Sequence, residues 1–522
     1  MKLQLLRNAG ANLLGAAVPA AVALATVPLV VHGLGDAAYG VYALITAIVG
    51  YFAIIDINVT AGSVQHIATH WAHWTQAGQA GAQDEKPAGR QAAAQDSIAQ
   101  TITFGLLVYS GLGLLGGLAL WGSAPWLVRD VFSVPAGLRA SATTALQLAA
   151  PGFLVSQLQS YLDSVPQALL LYDRSARLDV LFGSVVPLAT VLVLMQGGSL
   201  TEIIVLRVVA SSVHCLLLWR TIGRLLPGLR LRWPAPALRR SLLHFSAYAC
   251  LNRFAAMSYA YADKLIIGAL SGVAGLAVYA VASTLANRLL GLTGRLASVL
   301  FPATSALAAG NELPRLVQIY LRASRYLTFI NGAMLLLVAV FAEPILRCWM
   351  SAGFAQRGAT VLAVMALSQC IDALTALPSL VNDGMGHPAV TGGFALARAL
   401  LGLVTVYLGV LVAGIDGAAW GHLFASTLMT LVFLRHVHGR TVPVPLLDVA
   451  RAAYLPCAPG LFGIALLATL GQAAGAGSGG ALVCNALATC TALVLYGVFV
   501  IAAPADRARV RAALQVRPAP GT

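Results

Sequence analysis

The sequence predicts an all-α integral membrane protein of about fourteen transmembrane helices. Two six-helix bundles related by a parallel pseudo-repeat are followed by two C-terminal helices. Three observations carry this expectation: composition, the side on which basic residues fall, and an internal repeat. Of 522 residues, 59% are hydrophobic and 10% are charged, against about 25% charge in an ordinary soluble domain. The mean hydropathy is +0.82. A soluble fold of this length needs far more polar surface. A soluble enzyme, a nucleic-acid-binding domain and a disordered chain are therefore excluded, and the apolar surplus must face lipid. The net charge of +14 reports orientation and anionic lipid rather than nucleic acid.

A spanning helix needs about 20 apolar residues. Such segments are centred near residues 20, 52, 110, 150, 187, 209, 255, 288, 334, 370, 400, 426, 458 and 490. The first apolar run, Ala9 to Leu34, is too long for a signal-peptide core and leads straight into a second span, so it reads as a retained helix. With the N-terminus in the cytoplasm, 22 of the 32 basic residues fall on the cytoplasmic side and four, Arg129, Arg139, Arg347 and Arg357, on the other. This asymmetry places both termini inside. All eight tryptophans fall at or near span ends, where an interfacial aromatic belt belongs.

The halves resemble each other. GLGDAAYGVYALITA (33–47) aligns with LSGVAGLAVYAVAST (270–284), matching Gly35 with Gly272 and Tyr42 with Tyr279. APWLVRD (124–130) aligns loosely with AEPILRC (342–348), and SYLDSVPQALLLYDRSA (160–176) with DALTALPSLVNDGMGHP (372–388), placing Pro166 on Pro378. Matched helices lie six spans apart, an even number, so both copies face the same way and substrate is expected between them. The domain expectation is a lobe over 1–220, a basic cytoplasmic linker over 221–240, a second lobe over 241–440, and helices 13 and 14 with a cytoplasmic tail over 441–522.

No nucleotide-binding loop or hydrolase pattern occurs, so no built-in ATP motor is expected. The seven cysteines show no CxxC and read as small buried hydrophobes. His66, His70 and His73 sit at i, i+4 and i+7 beside Trp71 and Trp74. Such spacing can bind metal on one helix face, but no nearby Cys or carboxylate completes the set. The stretch reads as an interfacial helix end, and neither a metal nor a cofactor is expected.

The stretch DKLIIGALSGVAGLAVYAVASTLANRLLGLTGRLASVLFPATSAL (263–307) resembles the seventh and eighth helices of bacterial polysaccharide flippases, the O-antigen and exopolysaccharide translocases of the multidrug/oligosaccharidyl-lipid/polysaccharide exporter superfamily. LGDAAYGVYALITAIVGYFAIIDINVT (34–60) resembles their first loop and second helix, although IDINVT departs from the commoner Asp-Leu-Gly pattern. GHPAVTGGFALARALLGLVTVYLGVLVAGIDGAAWGHLFAST (386–427) resembles helices 11 and 12. The similarity runs over roughly residues 8–440. It implies a V-shaped alternating-access transporter in the bacterial inner membrane, not an enzyme. It also implies a substrate, an oligosaccharide on a polyprenyl-pyrophosphate carrier, with membrane lipid, a polysaccharide polymerase and chain-length proteins as partners and no nucleic acid. Alternatives are a lipid II flippase or a cation-coupled multidrug exporter of the same superfamily. A membrane polysaccharide polymerase or ligase is expected to carry a large outer loop, and no outer loop here exceeds roughly 20 residues.

The charges inside spans agree with an anionic cargo. A charge at the bilayer centre costs about 2.5–3.5 kcal/mol, so it normally faces a cavity or a partner. The in-span cations are Arg207, Arg253, Lys264, Arg288, Arg295 and Arg398. Arg253 and Lys264, eleven residues apart, are expected on one face of helix 7, and Arg288 and Arg295 on one face of helix 8. Arg253, Lys264, Arg288, Arg295 and Arg398 form the candidate cationic track for the pyrophosphate, since Arg offers a planar fork to phosphate oxygens. Arg207 lies nearer the outer end. Among in-span acids, Asp56, Asp163 and Asp372 are candidate proton or cation sites.

Overall fold

The computed structural model describes residues 2–55, 59–79, 87–169, 171–298, 313–474, 479–504 and 506–508. They are overwhelmingly helical, with no strand among the described residues. Among the described residues ten helices are long and apolar enough to cross a membrane, and Asp36–Phe52 is a shorter apolar one. Large apolar side chains such as Leu114, Leu115 and Leu118 are exposed along them, as a lipid-facing surface requires. The protein is therefore a multi-pass integral membrane protein.

Two compact groups of contacts divide the chain. One holds residues 10–281 and 395–418, the other 1–9, 282–394 and 419–522. These groups follow contacts and cut three helices part-way, whereas the lobes expected above follow the repeat.

The first group begins with α1 (Lys2–Leu34), α2 (Asp36–Phe52), α3 (Val59–Gln79), α4 (Pro87–Trp126) and α5 (Ala136–Ala168). It continues through α6 (Tyr172–Met195), α7 (Leu200–Leu225), α8 (Pro236–Met257) and α9 (Asp263–Leu270) into α10 (Gly272–Ser298). The start of α7 is readable locally, because Ser199 and Glu202 form a capping box that satisfies the first free amides. Ile67, Ile98, Ile102, Leu162, Val165, Leu218 and Ile222 make a buried core from α3, α4, α5 and α7. The segment between α7 and α8 lies along α4. Gln95 Nε2 donates to the Pro227 carbonyl (2.8 Å), and the Arg232 and Ala235 amides donate to Thr103 and Gln100 (3.1 and 3.0 Å). Arg232 also pairs with Asp96 at 2.8 Å. The expected linker is thus strapped to a helix rather than loose.

The second group contains α11 (Leu313–Val340), α12 (Ala342–Trp349), α13 (Ala352–Gly384), α15 (Leu446–Val449), α16 (Leu455–Ala474) and α17 (Gly479–Tyr496), together with most of α14 (Pro388–Arg440). In α14, Ala413 and Gly414 leave helical geometry, Gly414 at φ +59°, so the 53-residue stretch is two helices joined at a bend. Tyr320, Leu377, Val381, Phe433, Val437 and Val449 bury one core and Phe329, Cys457, Leu461 and Leu493 another. The chain after α17 is tied to α11: Tyr326 donates to Asp506 (2.6 Å), Arg325 to the Val500 carbonyl (2.6 Å), and Arg322 pairs with Asp506.

One expectation about the cysteines is corrected. All six described cysteines are unbridged, but Cys348, Cys484 and Cys490 are exposed rather than buried. A small apolar thiol suits a lipid-facing helix surface as well as a core.

Candidate functional site

In the first contact group Lys264, Asp263 and Arg398 meet one wide helical turn. Between α8 and α9, Ser258–Ala262 is π-helical. A π-turn inserts about one extra residue, which rotates the residues beyond it by roughly 100°. Arg253 and Lys264 therefore do not keep the common face that an uninterrupted helix would have given them.

The turn instead presents its own groups. Tyr259 receives the Arg398 guanidinium, 4.3 Å from the ring centroid, a cation–π contact that strengthens when desolvated. Lys264 Nζ donates to the Ala260 carbonyl at 3.0 Å and pairs with Asp263 at 3.3 Å. Asp263 is 7% exposed. It also accepts from the Tyr279 hydroxyl at 2.9 Å and from the Lys264 amide at 2.7 Å. Two in-span cations, Lys264 and Arg398, thus border one turn, and Asp263 anchors Lys264 and Tyr279 there. Arg253 is half-buried on α8 and has a partner.

The remaining candidates lie elsewhere. Arg288, in the second contact group, is exposed on α10. Arg295 lies on the same helix, but its side chain is outside the described residues, as is Asp56. Arg207 is exposed and donates to the Tyr42 hydroxyl while lying over its ring.

Asp163, on α5, stands with two groups that sequence reading missed. Donor atoms of Asp163, Asp179 on α6 and His214 on α7 all lie within 4.8 Å of one another. His214 is 3% exposed. Its Nε2 is 3.9 Å from Asp179, Gln159 Nε2 is 2.9 Å from its Nδ1, and Phe182 stacks on the ring at 4.5 Å. A histidine inside the apolar run VVASSVHCLLL was the available signal, but its partners come from other helices. Asp372 is 5% exposed on α13. One turn earlier on that helix, the Ser368 hydroxyl bridges His422 Nδ1 (2.8 Å) and Ser426 (3.0 Å).

A family model described as polysaccharide biosynthesis protein matches residues 91–357, just over half the chain. The chain belongs to this family. A 68-residue stretch is 34% identical to a Shigella flexneri protein named as a candidate O-antigen transporter, covering 13% of this chain and 16% of that relative's length. Among solved structures, the lipid II flippase MurJ in an inward closed conformation is similar with a TM-score of 0.71 at 11% identity, over 96% of this chain and 99% of that one. An inward-facing multidrug resistance MATE transporter of the MOP superfamily gives 0.69 at 13% identity, over 83% and 96%. A MOP superfamily transporter from Pyrococcus furiosus gives 0.61 at 14% identity, over 84% and 95%. These likenesses establish the fold. Family and fold together make this chain a member of the polysaccharide biosynthesis family with a fold similar to those of the MATE and MurJ structures.

Proposed function

We propose that the protein is a flippase that moves an oligosaccharide linked to polyprenyl pyrophosphate from the cytoplasmic to the outer leaflet of a bacterial inner membrane. Fourteen crossings with both termini in the cytoplasm, and repeat-related lobes over 1–220 and 241–440, belong to this proposal. The sugar and pyrophosphate cross in a hydrated path while the lipid tail stays in the bilayer, and no bond is made or broken. The observation that carries the reading is the set of in-span cations, with Lys264 and Arg398 bordering the π-turn and Arg253 on the helix before it. Arg253, Arg288, Arg295, Arg398 and Lys264 are the proposed contacts for the pyrophosphate or acidic sugars.

A strain lacking the gene should accumulate lipid-linked oligosaccharide in the inner leaflet. Arg253→Ala and Arg288→Ala should each lower substrate affinity roughly ten- to a hundredfold, the effect of losing a charge-assisted contact, with partial recovery for Lys. Full polymer export per molecule of membrane protein in both Ala variants overturns the role of the cations. Accumulation in the outer leaflet overturns the flippase.

Lipid II as cargo is the second reading, favoured by the MurJ likeness along nearly the whole chain. Accumulation of lipid II in the deletion strain would select it.

Asp56, Asp163 and Asp372 are the proposed coupling sites for a proton or sodium gradient. Asp163 has the strongest support, because Asp179 and His214 surround it. Transport into proteoliposomes that persists with all gradients collapsed, and with the three acids changed to Asn, excludes such coupling.

A further inference from the structure

On α3 stands an arrangement that the proposed transport does not draw on. His66 and His70 face each other with Nε2 atoms 3.2 Å apart and ring centroids 4.4 Å apart. Two imidazoles bound to one zinc at about 2.0–2.1 Å in tetrahedral geometry place their nitrogens about 3.3 Å apart. The observed gap is thus already close to a chelating one. His73 lies edge-on to His70 at 5.9 Å. At i+7 from His66 it shares the same helix face.

The Thr101 hydroxyl lies 2.8 Å from the Ser97 carbonyl and 2.9 Å from His66 Nδ1. When its proton goes to the carbonyl, its oxygen accepts from His66 Nδ1–H, and a lone pair is left on His66 Nε2 toward His70. An N–H held by an oxygen on one side of the ring and a lone pair on the other is how metal-ligating histidines are fixed by their outer partners. Without an ion, His70 fills the gap with an Nε2–H donor. With one, its proton sits on Nδ1 and both Nε2 lone pairs meet the metal.

We propose that His66 and His70, with Thr101 as the positioning residue, form a two-imidazole chelate for a borderline divalent transition metal on α3, solvent completing its coordination. An all-imidazole donor set suits zinc, nickel or copper and not calcium or magnesium.

The test is calorimetric titration of zinc chloride into the full-length detergent-solubilised protein carrying no polyhistidine tag. The expected result is one zinc per chain at this site. His66→Ala and His70→Ala each weaken binding at least tenfold. Thr101→Val keeps the stoichiometry and weakens binding about tenfold, as loss of an outer-shell partner does. His214→Ala serves as the control for the other histidine–carboxylate cluster and should bind normally. Metal-free melting temperatures show that each variant is folded. No binding by the wild type overturns the proposal, as does unchanged affinity in the folded His66→Ala/His70→Ala double variant. Loss of the site in His214→Ala alone also overturns it.

Discussion

Two stretches matched by the internal repeat use one backbone device for different ends. In 33–47 the chain turns at Gly35, φ +79°, and continues into α2. In 270–284 it turns at Gly272, φ +72°, and continues into α10. Seven residues after each glycine stands a tyrosine. Tyr42 is half-buried and accepts from exposed Arg207. Tyr279 is fully buried and donates to Asp263, which holds Lys264. The turn is common because both copies need a left-handed residue, which glycine supplies at least cost. The tyrosine diverges because its partner comes from another helix. A repeat therefore transmits backbone geometry more faithfully than polar chemistry.

The largest effect that would test this contrast is at Asp263. Asp263→Asn keeps the shape but leaves Lys264, 14% exposed, without its counter-charge. Breaking a buried pair costs about 3 kcal/mol or more, so melting of the solubilised protein, followed by tryptophan fluorescence, should drop markedly. Wild-type melting would mean that the second copy's polar anchor is as dispensable as the first copy's.

An intermediate effect belongs to the turns. Gly35→Ala and Gly272→Ala each force a Cβ into positive-φ backbone, at about 1–3 kcal/mol. Neither meets a neighbouring atom within 4 Å, so strain alone should act and the two losses should match. Clearly unequal losses would break the equivalence of the turns.

The smallest effect is expected for Tyr42→Phe. It removes one contact to an exposed arginine, worth less than about 1 kcal/mol. Tyr279→Phe, which takes a donor from a buried carboxylate, should cost about 1.5–3 kcal/mol. Similar melting of the two Phe variants would erase the contrast.

The candidate site was legible only in part. Arg398 and Lys264 stood out because cations are rare inside apolar runs, and that rarity is a property of the sequence. Their grouping was not, because a π-turn at Ser258–Ala262 has no signature in the residues SYAYA and shifts every later side chain around the helix. Asp163 was visible for the same reason as the cations. Asp179 and His214 were invisible as its neighbours because the pairing joins three helices.

The sequence by itself determined that the chain is helical and membrane-embedded, and which family it resembles. Those properties come from composition and from apolar run length, both local along the chain. Only the tertiary structure decided which groups meet across helices: Arg398 with Tyr259, His214 beside Asp179, and Thr101 with His66. Each such pairing depends on the rotation and depth of two packed helices. A single inserted residue changes that rotation by roughly 100°, with no change in hydropathy to betray it.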